Sequence, residues 1–197
     1  METMNFPLSV EVISAILGPY GPIENVRANW PLVEAALDRR GAYTSPYCGV
    51  AAIATIGVES GNFSPVKERG GPSYLTNLYE NRKDLGNTQP GDGARFRGRG
   101  FVQITGRWDY EHFGEEIGQD LVGNPDLALD PATSADVLAL FFEERHIPFF
   151  ADRQNWEMVR RRVNGGLTGM DRFMDAVTKL TAALKNPPPS AGTSEAA

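Results

Sequence analysis

The sequence predicts a mainly α-helical domain interrupted by one long glycine-rich loop, and three observations carry that prediction. Apolar residues recur at helical spacing along most of the chain. Between residues 60 and about 100 the periodicity fades, with glycines at 61, 70, 71, 86, 91, 93, 98 and 100 and prolines at 65, 72 and 90. A length of 197 residues with 41% hydrophobic and 10% aromatic content is enough for one domain with a substantial core.

Taken in order, residues 8–17 place Val10, Ile13, Ile16 and Leu17 at helical spacing before Gly18 and Pro19 stop the helix. A second helix is predicted over 29–40, where Trp30, Val33, Ala36 and Leu37 share a face and Gly41 ends it. The third carries its own start signals, a capping Ser45 and Pro46 at the first helical position. Tyr47, Val50, Ala51, Ala54 and Val58 then recur until Glu59-Ser60-Gly61. A connection as long as the one that follows is either functional or disordered, and Tyr74, Leu75, Leu78 and Tyr79 suit a short helix within it. Helical patterning resumes at roughly 104–117. It returns from Pro131 to about Arg145, with Ala132, Ala135, Leu138, Ala139 and Phe142 on one stripe, and again near 155–163 and 169–185. The domain is therefore assigned to 1–185, and 186–197, NPPPSAGTSEAA, reads as a proline-rich linker or tail.

A net charge of −6 offers no general attraction to nucleic acid, so a nucleic-acid partner is not expected. No stretch approaches the ~20 apolar residues of a membrane span, and the N-terminus lacks a secretion-signal pattern, so membrane insertion is not expected either. Cys48 is a single cysteine and His112 and His146 are the two histidines, which argues against a disulfide framework and against a metal site.

Glu59 ends the apolar run GVAAIATIGV at the point where the chain enters the long loop. Burial and the negative end of a helix both disfavour an ionised carboxylate, as a general acid requires. A glutamate at a helix end is more often simply solvated. Glu68, nine residues on, is placed to return across the same loop as a second carboxylate. Glu80 and Asp84 compete for that role, and a surface charge beside Lys67 and Arg69 is the other reading of Glu68.

The strings VESGNF, RFRGRGFVQITGRWDY, GNPDLALDP and VNGGLTG, in that order over roughly residues 46–175, resemble glycoside hydrolase family 19, a group of chitinases and phage endolysins. Phe96, Arg97, Gly98, Arg99, Gly100, Gln103, Ile104, Thr105 and Gly106 match its most specific segment. The resemblance implies a lysozyme-like, two-lobed helical domain with at most a small β-hairpin. It makes Glu59 the acid and, at the nine-residue spacing of the endolysin branch, Glu68 the second carboxylate. The plant chitinases place that carboxylate further along, near Leu78–Asp84. Thr105 then helps hold the attacking water, and Asn164 contacts substrate, although an Asn before Gly165 and Gly166 also suits a helix end. The glycines let backbone pass close to a sugar, and Gln103 and Thr105 offer hydrogen-bonding groups to an acetamido sugar and a water, unless they only bond neighbouring backbone. Trp108 and Tyr110 offer apolar surface to sugar faces, Tyr110 ahead, though aromatics at this spacing are more often core. Arg97 and Arg99 are expected to pair with Glu59 or Glu68 or to meet substrate carboxylates, with surface salt bridging as the alternative. Val58 departs from the family's histidine before the acid, and Asp109 from its usual asparagine, which exchanges a donor for a charged acceptor at a candidate sugar contact.

The implied activity is inverting, cofactor-free hydrolysis of β-1,4 bonds in bacterial peptidoglycan, with chitin as the alternative polymer. The implied setting is a monomeric lysin domain, in a longer modular chain, that accumulates in a host cytoplasm and reaches the wall through a holin. A non-catalytic glycan-binding module and a helical protein-interaction domain are the readings of other classes.

Overall fold

The computed structural model describes residues 5–187. Ten α-helices are present among them: α1 Val10–Leu17, α2 Ile23–Arg39, α3 Pro46–Glu59, α4 Pro72–Tyr79, α5 Asp92–Arg95, α6 Arg107–Ile117, α7 Pro131–Glu144, α8 Ile147–Asp152, α9 Trp156–Asn164 and α10 Met170–Lys185. Strands β1 (Val66–Lys67) and β2 (Arg99–Gly100) and three short 3-10 turns complete them.

The third helix is the axis of the molecule. Every residue of α3 from Cys48 to Gly57 is buried, because α10, α8 and α9 pack around it. Each fully enclosed Val or Ile contributes roughly 1.5–3 kcal/mol over the exposed state. Its start follows the sequence signals: Ser45 Oγ accepts from the Tyr47 N–H at 3.1 Å, and Pro46 occupies the first turn. Asp152, at the end of α8, accepts from the hydroxyls of Thr44 (2.7 Å) and Ser45 (2.6 Å), locking that end of α3 to α8. Similar caps start α7, where Asp130 accepts from the Thr133 N–H at 2.9 Å, and α9, where Asn155 accepts from the Met158 N–H at 3.2 Å.

Helix α2 begins six residues before the predicted start and carries Pro31 inside it. The Val26, Trp30, Val33 and Leu37 stripe packs toward α7, while the proline ring faces solvent, so burial along the stripe outweighs the interruption. Helices α5 and α8 were not predicted; each is too short to show a helical period.

The segment expected to be irregular builds the smaller lobe. Helix α4 packs on α5, and β1 pairs antiparallel with β2 through Val66 opposite Gly100 and Lys67 opposite Arg99. The expected hairpin is reduced to a single bridge between Arg99 and Ile104, and the two-stranded sheet instead joins segments about thirty residues apart in sequence. Asp126 ties this sheet to the helical body, accepting from Lys67 Nζ at 2.9 and 3.0 Å and from Arg99 Nε at 2.7 Å. Most of the predicted tail, residues 188–197, lies outside the described residues.

Candidate active site

Glu59 is the last residue of α3. The chain after it is held by α2: Asn25 Nδ2 donates to the Asn62 carbonyl and Asn29 Nδ2 to the Phe63 carbonyl, both at 2.8 Å. Phe63 is fully buried in a left-handed conformation (φ 58°), so the turn out of α3 is fixed by tertiary packing. The Glu59 side chain is 20% exposed, and its Oε1 accepts from Nη1 of Arg160, a residue only 1% exposed on α9. Arg160 also donates through Nε, at 2.8 Å, and through Nη2 to the carbonyl of Thr168. Asn164 Nδ2 donates to that same carbonyl at 3.1 Å, so Asn164 belongs to the shell around the Arg160 and Glu59 pair. Gly165 in the left-handed region is the cap of α9, with Asn164 as its last helical residue. Val58, where a histidine was expected, packs on Gly169: a Cβ there would come within 2.9 Å of Val58 Cγ1. One flank of Glu59 is thus apolar.

Arg160 was missed by the sequence reading. Its signal is present: Trp156, Val159 and Val163 form the buried or partly buried stripe of α9, and Arg160 falls on it. A charge on an apolar stripe requires a partner inside.

Glu68 follows β1 and is held at both oxygens. Tyr79 donates its hydroxyl to Oε1 at 2.9 Å, and the Gly98 N–H donates to Oε2 at 3.1 Å. Burial first, and then the adjacent Glu68, push the Tyr79 phenol up to about 12. It therefore stays protonated, a permanent donor at ordinary pH. Glu68 and Glu59 have no hydrogen-bond partner in common among the described residues.

The competing acids are occupied. Glu80 accepts from the Gly91 and Gly93 N–H groups at 2.7 and 2.8 Å and so organises the entry to α5. Asp84 pairs with Arg82, two residues away on the surface.

The segment 96–106 runs beside Glu68. Gln103 adopts φ 55°, unusual for a residue with a side chain, and donates both amide hydrogens of Nε2, to the Val66 carbonyl at 2.8 Å and the Gly100 carbonyl at 2.9 Å. Its Oε1 remains an acceptor beside Glu68. Thr105 donates its hydroxyl to the Gln103 carbonyl at 2.9 Å, which leaves the Oγ1 lone pairs to accept from a water. Packing accounts for a glycine at position 98: a Cβ there would stand 2.9 Å from Gln103 Oε1 and 3.4 Å from Glu68 Cβ and Oε2. The same holds at Gly106, which has φ 93° and whose Cβ would meet the Leu85 carbonyl at 2.5 Å.

Three expected sugar contacts lie elsewhere. Tyr110 is fully buried, its hydroxyl donating to the Arg97 carbonyl at 2.6 Å and accepting from Arg99 Nη1 at 2.8 Å, so it presents no face to a ligand. Arg99 is 4% exposed and spends its guanidinium on Asp126, Tyr110 and backbone carbonyls, while Arg97 donates to backbone carbonyls; neither reaches Glu59 or Glu68. Asp109 turns inward and accepts from the Thr105 N–H at 3.0 Å, fixing the residue that carries the candidate water-binding hydroxyl. Burial raises the Asp109 pKa, against the pull of that N–H and of Arg145. Trp108 is 58% exposed, stacked on His112, and keeps an open aromatic face.

A mainly α, two-lobed body with one glutamate ending its most enclosed helix and another on the smaller lobe defines a lysozyme-like fold. The glycoside hydrolase family 19 model, described as chitinase class I, matches residues 35–147, and the chain belongs to that family. A Haemophilus influenzae protein described as a glycosyl hydrolase family 19 domain-containing protein is 35% identical over 106 residues, 51% of this chain and 48% of its own. The acidic 27 kDa endochitinase of Solanum lycopersicum is 48% identical over 50 residues, 25% of this chain and 20% of its own. The chain therefore spans about half, or less, of the curated relatives it matches. Among solved structures, a point mutant of chitinase C superposes with a TM-score of 0.64 at 16% identity, covering 94% of this chain and 96% of its own. Chitinase C from Streptomyces griseus gives 0.60 at 16% identity, covering 92% of this chain and 78% of its own. These likenesses establish the fold. Arg160, Asn164 and Thr168 lie beyond the family-matched segment, so the arginine that holds Glu59 and the groups that fix that arginine are supplied from outside it.

Proposed function

We propose that this chain hydrolyses β-1,4 glycosidic bonds in an N-acetylated wall glycan, peptidoglycan, by inversion. The observation that carries the reading is the contrast between two carboxylates: Glu59 held by one buried arginine and partly open, Glu68 held at both oxygens by Tyr79 and the Gly98 N–H. Glu59 protonates the leaving oxygen, and Glu68 takes a proton from the water that attacks the opposite face. Thr105 Oγ1 accepts the other water hydrogen, and Gln103 Oε1 accepts from an acetamido N–H. Trp108 offers its exposed face to an adjacent sugar.

The nine-residue spacing from Glu59 to Glu68, resembling that of the endolysin branch, favours peptidoglycan and a lysin that reaches the wall from the cytoplasm of a phage's host. Chitin is the second reading, favoured by the plant relatives described as endochitinases. Release of new reducing ends from purified peptidoglycan and from a soluble chitin oligomer separates them. Glu59→Gln is expected to lose about a thousandfold of the preferred activity. Equal turnover by wild type and variant would sink the assignment of Glu59, and binding without turnover would favour a glycan-binding module.

A further inference from the structure

The segment from α7 to α9 carries a cluster of cations that make no ion pair among the described residues. Arg145 lies over the Phe141 ring at 4.2 Å, Arg153 over Phe149 at 3.6 Å, and Arg162 over Phe150 at 5.4 Å. The three are contiguous: Arg145 Nη1 donates to the Arg162 carbonyl at 3.4 Å, and the Phe149 and Phe150 rings meet at 5.2 Å. All three arginines and Phe149 are exposed.

The carboxylates of the same segment are engaged elsewhere. Glu143 pairs with Arg40, Glu144 with His112 and Glu157 with Arg161, while Asp152 accepts from Thr44 and Ser45. Among the described residues none lies within ion-pair distance of Arg145, Arg153 or Arg162. In a chain of net charge −6, three neighbouring guanidiniums without an ion-paired carboxylate make a local positive surface. A phenylalanine ring beneath each guanidinium does not neutralise it, which leaves N–H groups for an oxyanion.

One member of this surface reaches toward the candidate active site. Arg145 is close enough to Asp109, which fixes Thr105, for its charge to act on that carboxyl. We propose that Arg145, Arg153 and Arg162 form an anion-binding surface that takes the free stem-peptide carboxylates of peptidoglycan. This rests on the wall-glycan reading above. A neutral polymer such as chitin has nothing to place there, so the cluster discriminates between the two polymers by charge.

The test is cosedimentation of the full chain with insoluble peptidoglycan at low and high ionic strength. It is repeated with the same peptidoglycan amidated at its carboxyl groups and with peptidoglycan stripped of attached phosphodiester polymer. At low salt the Arg145→Gln/Arg153→Gln/Arg162→Gln variant is expected to bind native peptidoglycan about tenfold more weakly than wild type. High salt or amidation should bring wild type down to the variant's level, because exposed pairs are screened over about 8 Å at physiological ionic strength. The triple lysine variant, which keeps the charge, should retain most of the binding. It also guards against misfolding, as does an unchanged melting temperature. Variant binding equal to wild type at low salt overturns the proposal. So does wild-type binding that survives amidation, or that vanishes when the phosphodiester polymer is stripped, or a preference for a DNA duplex over peptidoglycan. If carboxylate-dependent binding holds while no reducing ends appear, the surface stands and the hydrolytic reading fails.

Discussion

At the scale of single residues, the partners of the two carboxylates make separable predictions. Arg160→Met strands Glu59 in a largely enclosed setting, and removing one member of such a pair costs about 3 kcal/mol, read as a lower urea midpoint. Arg160→Lys should recover only part of that, since an ammonium cannot span Glu59 and the Thr168 carbonyl as the planar fork does. A midpoint unchanged in Arg160→Met would mean the pair holds nothing in place. Tyr79→Phe removes one donor from Glu68 and leaves the ring. Steady-state kinetics should show kcat down about tenfold with KM little changed, the signature of a group that positions a catalytic carboxylate. Glu59 was legible from its place at the end of an apolar helix, whereas Glu68, Gln103 and Thr105 stood out through the resemblance to the family's motifs. Arg160 shows in the sequence only as a charge on an apolar stripe; that its partner is Glu59, 101 residues away, does not.

At the scale of elements, the helices declare themselves where caps and stripes agree. Ser45→Ala removes both the cap of α3 and a donor to Asp152, and a loss of about 1 kcal/mol in chemical denaturation is expected. The predicted start of α2 at residue 29 is six residues late, because packing of Val26 and Trp30 carries the helix through Pro31. Tyr110 was misassigned for a related reason: one face of α6 is core, and only the fold decides which aromatic of that helix lies on it. Asp109 gives a prediction of its own. Its pKa is raised by burial, so its ionised form is disfavoured in the folded state and stability is lost as pH rises from the ordinary aspartate value through the raised one. Asp109→Asn keeps an oxygen for the Thr105 N–H without the charge, and Tm near pH 7 should rise by about 3 °C. A fall in Tm would show that the carboxylate itself is needed there.

At the scale of the whole molecule, two aspartates join distant parts of the chain and set the acid limit of stability. Asp92 is pushed up by burial, yet Arg107 and the N–H groups of Gln89 and Thr88 outweigh that and hold it below the ordinary value. Asp126 is lowered first by Lys67 and then by Arg99. Carboxyls depressed in the fold stabilise it fully above the ordinary value of 3.8, and the contribution is lost as pH falls through the lowered ones. Melting temperatures followed from about pH 6 to pH 2 should therefore drop steeply below about pH 4, and Asp92→Asn should flatten that drop. An identical drop in the variant would remove Asp92 from the account. The sequence by itself determined the helical class and most element positions, because hydrophobic period and caps are local properties, and its motifs nominated the two candidate carboxylates through their resemblance to a family. The tertiary structure alone decided which groups touch those carboxylates, that the long glycine-rich segment is an ordered lobe, and which aromatics face solvent. Those outcomes depend on hydrogen bonds and packing between residues far apart in the chain, and no local pattern encodes them.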